Sequence, residues 1–388
     1  MSSTRNLLLE YSLQIISGSL SFIASMTIVL MVIKNGLNKP YRRLIFGLSI
    51  SDMFQSFALL TGPFATPSGE YSWSVGSIQT CEANGFLMVY GSTAVPLYLL
   101  SLSVYYNCKL ITKMTDSDIM KRFETWAHIF INLVMFIICI LGLVTKSFNS
   151  IFGGTICHFA KYPLGCGTYP EIYGECTRGL YSFEFVYVVT IGITSFCFIG
   201  MIVTMVLLVR SATKSQRMYA SRSSRERSLK STCCLRSMEQ DVDESHADYL
   251  FRKYKRETEI QAFLYILSFF LSYTVVLVAS IWGMTKKSLL PPAAQIVSAF
   301  LYPIMGCFNI LIYTRPKVQK FREANLEISW IRSFLLVIKA GGDVPTPSDD
   351  PNSLRICTCC RGARQDSVQP TVSERSIFFS SLFRMRTD

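Results

Sequence analysis

The sequence predicts an all-α membrane protein: a seven-transmembrane helix bundle with the N-terminus outside, a short amphipathic eighth helix, and a disordered cytoplasmic loop and tail. Two observations predict this fold. Half of the 388 residues are hydrophobic and only 16% are charged, whereas a soluble domain usually carries about 25% charge. The apolar residues also concentrate in runs of about 20 or more, the length that crosses a hydrocarbon core of about 30 Å.

The apolar runs are nearly free of charge. Helices of soluble proteins average about 11 to 12 residues, which argues against buried helices of a soluble core. Asp52 in the second run and Glu184 near the start of the fifth are the charged exceptions. The predicted spans are about 11–33, 44–64, 83–108, 125–145, 181–209, 260–284 and 289–314.

The distribution of Lys and Arg predicts the orientation, because these residues favour cytoplasmic loops. With the N-terminus outside, 32 of the 38 basic residues fall on the cytoplasmic side. The other six are Arg5, Lys146, Lys161, Arg178, Lys286 and Lys287. The net charge of +12 is therefore a topology signal, and no nucleic-acid partner is expected. Residues 1–10 form a short extracellular N-terminus, and the first span is expected to act as an uncleaved membrane signal.

Cysteines divide between the two predicted sides. The outer side holds Cys81, Cys157, Cys166 and Cys176. Four cysteines in an oxidising compartment predict two disulfides with three possible connectivities, of which we expect Cys81–Cys157 and Cys166–Cys176. On the cytoplasmic side, Cys357, Cys359 and Cys360 are candidates for reversible palmitoylation. A zinc site is the weaker alternative for these cysteines because it needs four ligands. We expect no cofactor other than a possible sodium ion at Asp52.

Ionisable residues inside a membrane are costly and mark functional sites or polar cavities. Ser49, Asp52 and Ser56 share one face of the second span, and Asn309 and Tyr313 share one face of the seventh, in the same inner half. These residues predict an inner polar pocket that holds water or a small cation such as sodium. A static cluster of buried hydrogen bonds is the alternative.

Two short motifs resemble those of rhodopsin-like G-protein-coupled receptors. Leu48 to Asp52 resembles the L-x-x-x-D motif of the second helix, and Asn309 to Tyr313 followed by 317–322 resembles N-P-x-x-Y with its short eighth helix. The longer run 306–316 is more similar to the cAMP-receptor-like receptors of protists and fungi, in which a glycine precedes the asparagine. The outer-loop elements Cys157, Pro163-Leu164-Gly165-Cys166 and Cys176-Thr177-Arg178-Gly179 also resemble that group.

The resemblance covers residues 11–322 and departs from the rhodopsin-like pattern at three places. Tyr105 to Cys108 stands where D-R-Y is expected, Ile310 replaces the proline of N-P-x-x-Y, and 272–275 lacks C-W-x-P. These departures favour the cAMP-receptor-like branch. The resemblance implies a receptor in the plasma membrane, without enzymatic activity, that transduces an extracellular ligand to a heterotrimeric G protein. Kinases and arrestin-like regulators would act on its cytoplasmic segments.

The resemblance places the G-protein contacts at the inner ends of spans three, five and six. The candidate contact residues are Tyr105, Asn107, Arg252, Lys253, Lys255 and Arg256. The basic cluster among them also suits anionic membrane lipid. In the outer half, polar and aromatic residues are candidates for lining a ligand cavity, and they are Tyr90, Glu184, Gln295, Ser298 and Tyr302.

Other functions fit the sequence less well. An opsin needs a lysine in span seven, and a heptahelical zinc hydrolase needs several histidines in the bundle; span seven has no lysine, and the three histidines are scattered. A small multi-pass transporter remains the alternative. Residues 211–255 and the cytoplasmic tail 323–388 are polar and predicted to be disordered. Within the tail, 326–338 is apolar but too short to span, and it predicts an interfacial or partner-binding helix.

Overall fold

The computed structural model describes residues 2–151, 156–166, 170–230, 238–286, 291–325 and 327–342, and these are mostly α-helical. The helices are α1 Ser2–Asn35, α2 Pro40–Ala65, α3 Ile78–Leu110, α4 Asp116–Ile119, α5 Thr125–Val144, α6 Pro170–Tyr173, α7 Ser182–Phe185, α8 Thr194–Lys230, α9 Met238–Lys286, α10 Pro292–Leu301, α11 Met305–Ala324 and α12 Trp330–Lys339. Two π-helical segments, Met120–Glu124 and Val186–Ile193, join α4 to α5 and α7 to α8. The connection between α5 and α7 contains strands β1 Phe148–Ser150 and β2 Cys157–Phe159.

Six helices in the described part of the chain are long and apolar enough to cross a membrane, and a seventh span results if α10 and α11 count as one. All six coincide with predicted spans, and the bent pair occupies the last. Large apolar side chains such as Phe130, Phe196 and Ile199 are exposed on the outside of the bundle. An apolar surface of this extent suits contact with lipid. The described chain is therefore compatible with an all-α membrane bundle.

Local sequence determines where several helices begin. Pro40 occupies the first turn of α2 after an extended Lys39, a position where its missing N–H costs nothing. Ser77 and Thr80 form a capping box at the start of α3: the Ser77 amide donates to Thr80 Oγ1 at 2.7 Å, and the Thr80 amide donates to Ser77 Oγ at 3.3 Å. The Ser329 hydroxyl accepts from the Arg332 amide and caps α12 in the same way.

The last apolar run is broken rather than straight. A turn at 302–304 separates α10 from α11, and the two axes meet at 41°. Pro303 lies in this turn, and because it has no amide proton it removes one hydrogen bond of a continuous helix and so favours a break here. The bend places the first turn of α11 deep inside the bundle, where Met305 is fully buried.

The short separate eighth helix that we expected after Tyr313 is not formed as such. Helix α11 continues through Pro316 to Ala324. Pro316 has no amide proton to donate to the carbonyl oxygen of Ile312, four residues earlier. Gln261 Nε2 of α9 donates to this oxygen at 3.4 Å instead. The separate amphipathic helix is α12, in the segment where we expected an interfacial or partner-binding helix.

Helix α12 packs onto the bundle instead of belonging to a free tail. Its buried Val337 contacts Val318 and Phe321 of α11. The turn that follows α12 is held by α1, since Lys34 Nζ donates to the Ala340 oxygen at 2.6 Å and Asn35 Nδ2 donates to the Gly341 oxygen at 2.9 Å. The compact unit accordingly includes α12 and the turn that follows it, up to Gly342.

Within 211–255, the described residues, which exclude 231–237, lie in the adjoining ends of two helices. Helix α8 continues to Lys230 and α9 begins at Met238. The scarcity of apolar residues predicts that this segment lacks a buried core. It does not prevent helix formation, because Arg, Lys, Glu, Met and Ala, which are frequent here, have good helix propensity.

The predicted outer loop, between α5 and α7, is folded onto the ends of α3 and α5. Strands β1 and β2 pair antiparallel, with Phe148 opposite Phe159. Disulfides join Cys81 at the start of α3 to Cys157 in β2, and Cys166 to Cys176, the same pairs that we expected. Phe148 fits closely against Gly142 of α5, where a Cβ would lie 2.6 Å from the ring. The hairpin is thereby fixed over one side of the helix ends.

Candidate functional site: the inner polar centre and the tyrosine cluster

Asp52 is fully buried between α1, α2 and α11. Its Oδ2 atom accepts hydrogen bonds from the hydroxyls of two serines of α1, Ser21 at 3.3 Å and Ser25. The Gly306 amide in the first turn of α11 donates to Ser21 Oγ at 2.8 Å. The carboxylate is therefore connected to the backbone of α11 through one hydroxyl, and we call this group the inner polar centre.

Gly306 permits the close approach of α11 to Asp52. A Cβ at this position would overlap Asp52 Oδ2 and Ser25 Oγ, and it would lie 2.6 Å from the Ser21 carbonyl oxygen. The positive end of the α11 dipole points toward the carboxylate here, because residue 306 lies in the first turn of the helix. Gly306 was part of the motif that carried the resemblance, but we had not predicted it as a site residue.

Several buried polar atoms of α2, α9 and α11 have no hydrogen-bond partner among the described residues. They are Asp52 Oδ1, Ser49 Oγ, Ser56 Oγ, Ser272 Oγ and both amide atoms of Asn309. Buried polar atoms are normally paired with protein groups, ordered water or an ion. The predicted association of Ser49, Asp52 and Asn309 is consistent with this placement, since Gly306 contacts Asp52 and Asn309 follows three residues later on the same helix face.

Aromatic residues connect the inner polar centre to the outer half of the bundle. The Tyr273 hydroxyl on α9 donates to Gln55 Oε1 at 3.2 Å, and Gln55 lies one turn beyond Asp52 on α2. The Tyr273 ring packs edge-on against Tyr302, with the ring centroids 5.7 Å apart. Tyr302 is buried in the turn between α10 and α11, so this contact joins α9 to the bend of the last span.

A second cluster lies toward the predicted cytoplasmic end and consists of Tyr41, Tyr105, Tyr106, Tyr265 and Tyr313. We call it the tyrosine cluster. Tyr41 of α2 lies at its centre, with ring centroids 6.1 Å from Tyr105, 6.1 Å from Tyr106 and 6.3 Å from Tyr313. Tyr106 and Tyr265 stack at 6.4 Å. Four helices, α2, α3, α9 and α11, thus meet through aromatic contacts at one level.

Gln261 adds a polar connection to the tyrosine cluster. Its amide nitrogen donates to the Tyr41 hydroxyl at 2.9 Å and to the Ile312 carbonyl at 3.4 Å. The second bond satisfies the oxygen that Pro316 leaves without a helical donor. Gln261 therefore joins α9 to both α2 and α11, and it is buried.

Charged residues lie at the predicted inner end of the bundle. Lys253 Nζ of α9 lies 2.6 Å from Glu323 Oε2 of α11, an ion pair between two helices, whereas Lys255 pairs at 3.8 Å with Glu259 of its own helix. Arg256 is exposed. The side chain of Arg252 lies outside the described residues. Asn107 makes a contact between helices, because its Nδ2 donates to the Thr204 carbonyl oxygen of α8 at 3.2 Å.

A third polar group, not foreseen from the sequence, connects α2, α3 and the helix around Glu124. Arg43 forms a two-bond ion pair with the buried Glu124. His128 lies one turn beyond Glu124 and contacts the Tyr98 hydroxyl through Nδ1 at 3.0 Å. Asn132 Nδ2 donates to the same hydroxyl at 3.0 Å. Glu124, His128 and Asn132 follow one another at intervals of four residues. This helical spacing is the sequence signal that would have indicated their shared face.

The residues predicted to bind an outer ligand do not all converge. Tyr90 donates to Asn132 Oδ1 and packs against Phe54, on the side of α3 that faces α5. Glu184 is exposed at the start of α7. Ser298 lines a crevice between α9 and α10, while Tyr302 is buried in the bend and Gln295 is half-buried. Gln295, Ser298 and Tyr302 therefore lie on or beside α10. Tyr90 instead contacts residues of α2 and α5.

Metal ligands are not grouped in the described part of the chain, where no cluster of three His, Cys, Asp or Glu residues could hold a metal ion. The candidate palmitoylation residues Cys357, Cys359 and Cys360 lie outside the described residues. No known family model matches this chain, and no curated protein matches its sequence.

Proposed function

We propose that this chain is a G-protein-coupled receptor of the plasma membrane. In this proposal seven segments cross the membrane, with α10 and α11 forming the last, the N-terminus outside and the tyrosine cluster on the cytoplasmic side. The observation that carries it is the convergence of α2, α3, α9 and α11 on one plane of reversible polar and aromatic contacts. Such contacts suit a two-state element, because they can be broken without exposing a large apolar core.

Signalling follows from separating α9 from α11 at the inner end. The contacts to be broken are the two hydrogen bonds of Gln261, the Lys253–Glu323 ion pair and the Tyr106–Tyr265 stack. Exposed ion pairs contribute about 0–1 kcal/mol and single hydrogen bonds about 0.5–1.5 kcal/mol. A population shift needs only a few kcal/mol, so a ligand can supply it. The opened groove takes a helix of the G protein, in contact with Tyr105, Asn107 and the basic residues 252–256.

The inner polar centre provides the second part of the proposed mechanism. Asp52 Oδ1, Ser49 Oγ and Asn309 Oδ1 are buried oxygen atoms without protein partners, and oxygen is the ligand that hard cations prefer. One carboxylate suits a monovalent ion such as sodium. A bound sodium supplies positive charge between α2 and α11 and would stabilise the closed arrangement.

Replacement of the carboxylate tests the proposed sodium site. Asp52→Asn removes the charge that attracts the ion but keeps the shape of the side chain. We expect basal nucleotide exchange on a G protein to fall with added sodium in the native receptor and to be independent of sodium in the variant, at equal surface expression. Equal sodium dependence in both proteins reduces Asp52 to a structural role.

The receptor function itself is tested with purified components. A panel of small molecules is screened for a rise in nucleotide exchange on purified heterotrimeric G proteins in the presence of the full-length chain, with empty nanodiscs as the control. A ligand-dependent rise supports the receptor. Accumulation of a radiolabelled solute in vesicles that contain the protein, without exchange on any heterotrimer, would instead establish a transporter.

A further inference from the structure

An ion pair joins α2 to the start of α5 at the predicted inner end of the bundle, and the proposed signalling mechanism does not use it. Arg43 of α2 donates through Nε and Nη2 to the two carboxylate oxygens of Glu124, the second bond at 2.6 Å. Glu124 is 1% exposed, and it ends the π-helical segment that leads into α5. Two helices are therefore connected through one buried carboxylate.

The hydrogen bonds around His128 define where its ring carries a proton. Asn132 Nδ2 donates to the His128 carbonyl oxygen at 2.7 Å and to the Tyr98 hydroxyl at 3.0 Å. The Tyr98 oxygen is thus an acceptor for Asn132, and its own proton is directed to His128 Nδ1, 3.0 Å away. Nδ1 is therefore the acceptor of a neutral imidazole, and the ring proton is on Nε2.

The packing of Tyr98 keeps the imidazole in place. The tyrosine is buried, and its ring lies so close to Gly47 of α2 that a Cβ there would be 2.6 Å from it. The ring of Tyr98 is therefore confined between α2 and α5, and the partner of His128 Nδ1 is fixed.

The Nε2 atom of His128 lies close to Glu124 but forms no hydrogen bond with it. Its distance to Glu124 Oε1 is 3.7 Å, and this buried atom has no hydrogen-bond partner among the described residues. A buried donor without a partner is unfavourable. Proton uptake at Nδ1 would turn that atom into a donor to the Tyr98 oxygen and would give the whole ring a positive charge, which Glu124 attracts.

A charged His128 competes with Arg43 for the same carboxylate. Within the described part of the chain, the charged or titratable groups that face the imidazole are Arg43 from α2, Glu124 from its own side of the bundle and Tyr98 from α3. His128 and Glu124 are four residues apart on one helix, so their pair persists when helices move. Arg43 keeps its charge at every pH, and its side chain is 27% exposed. It is therefore the cation that can leave toward water.

We propose that His128, Glu124 and Arg43 form a pH switch between α2 and α5. Proton uptake by His128 transfers Glu124 from the ion pair with Arg43, between helices, to an ion pair with His128, within one helix, and releases α2. Imidazole is the side chain whose charge ordinarily changes between pH 5 and 8, and the proposed orientation places the switch at the cytoplasmic side. The switch goes beyond the proposed receptor function, because it can be measured without a G protein. Its release bears on the tyrosine cluster, since Arg43 lies two residues beyond Tyr41 on α2.

Distance measurements on the full-length protein in phosphatidylcholine nanodiscs test the proposal. Spin labels are placed at Lys39, just before α2, and at Trp126, in the first turn of α5, because both side chains are exposed. When the pH falls from 7.5 to 5.5, we expect the distance distribution to shift toward longer separations by about 1–2 Å, the usual size of a shift between packed helices. A distribution that does not change with pH overturns the proposal.

Variants assign the pH response to one histidine. His128→Asn keeps an acceptor for the Tyr98 hydroxyl but cannot take up a proton, so the shorter separation should persist at both pH values. His128→Gln serves if His128→Asn fails to fold. His158→Gln is the matched control: this histidine lies in the predicted outer loop, and the variant should respond to pH as the native chain does.

A further variant tests the contact that the switch releases. Arg43→Gln removes the cation that pairs with Glu124 and should show the longer separation at both pH values. If the His128 variants respond to pH as the native chain does, or if Arg43→Gln keeps the shorter separation, the proposed switch is contradicted.

Discussion

Gly306 packs closely against Asp52 in the inner polar centre. Asp52 accepts hydrogen bonds from α1, and Gly306 leaves room for its carboxylate on α11. The requirement for glycine at 306 is one of space, since the residue is helical. Position 306 can therefore be tested by adding a single methyl group.

Gly306→Ala should destabilise the protein by about 1–3 kcal/mol, the usual cost of overpacking a filled interior. The new Cβ overlaps Asp52 and Ser25, which must move. Gly192→Ala is the matched control, because a Cβ there meets its nearest neighbour at an ordinary 3.4 Å. Thermal unfolding in detergent measures both, and equal melting temperatures for the two variants would show that α11 does not approach Asp52 this closely.

His158 in the outer loop provides a test that depends on pH. Desolvation by the packing around its imidazole lowers the pKa from 6.5 to about 4. The unfolded chain therefore binds a proton at higher pH than the folded chain does. The stability that this group contributes is fully present above about pH 6.5 and is lost as the pH falls toward 4.

His158→Gln should remove this part of the pH dependence. Melting temperatures of the native protein should fall more steeply between pH 6.5 and 4.5 than those of the variant, since other acidic groups titrate equally in both. If the melting temperatures of the two proteins change equally with pH across this range, the imidazole of His158 is solvated in the folded loop.

At the scale of elements, the sequence was sufficient to locate the apolar runs and to place Asp52 and Asn309 in the same half of the bundle. Helical periodicity carries that information directly. Helical periodicity did not indicate the contacts of Gln261. Its partners lie on two other helices: the Ile312 carbonyl oxygen, which Pro316 leaves without a donor, and the Tyr41 hydroxyl. Periodicity likewise did not indicate the hydrogen bond from the Tyr90 hydroxyl to Asn132 Oδ1. Such contacts depend on which helices are neighbours, and spacing within one helix does not specify that.

The connections between α9 and α11 can be weakened one at a time. Gln261→Leu leaves the Ile312 oxygen without a donor, at a cost of about 1–3 kcal/mol, and Lys253→Ala removes the ion pair with Glu323. With spin labels at the exposed positions Arg256 and Ala324, both variants should shift the distance distribution toward longer separations, Gln261→Leu the more strongly.

Two controls accompany this measurement. Lys255→Ala should have no effect on the distance, because its ion-pair partner Glu259 lies on the same helix. Lys253→Glu combined with Glu323→Lys should restore the native distribution. If the single variants leave the distances unchanged, the contacts do not hold the inner ends together.

For the whole molecule, the excess of basic residues on one side predicts the orientation in the membrane. Val75 in the connection between α2 and α3 is 76% exposed, and Ala324 ends α11 at the opposite side. In intact cells, a membrane-impermeant thiol reagent should label Val75→Cys but not Ala324→Cys, and it should label both after permeabilisation. The reverse pattern in intact cells contradicts the proposed orientation.

The proposed mechanism is that separation of α9 from α11 at the tyrosine cluster activates a G protein. Its most direct test needs no ligand: basal nucleotide exchange on a panel of purified heterotrimers is compared between the native chain and Gln261→Leu at equal amounts of folded protein. We expect at least one heterotrimer to exchange nucleotide several-fold faster with Gln261→Leu than with the native chain. A variant with the longer α9–α11 distance but no increase in exchange on any heterotrimer would contradict the proposed function.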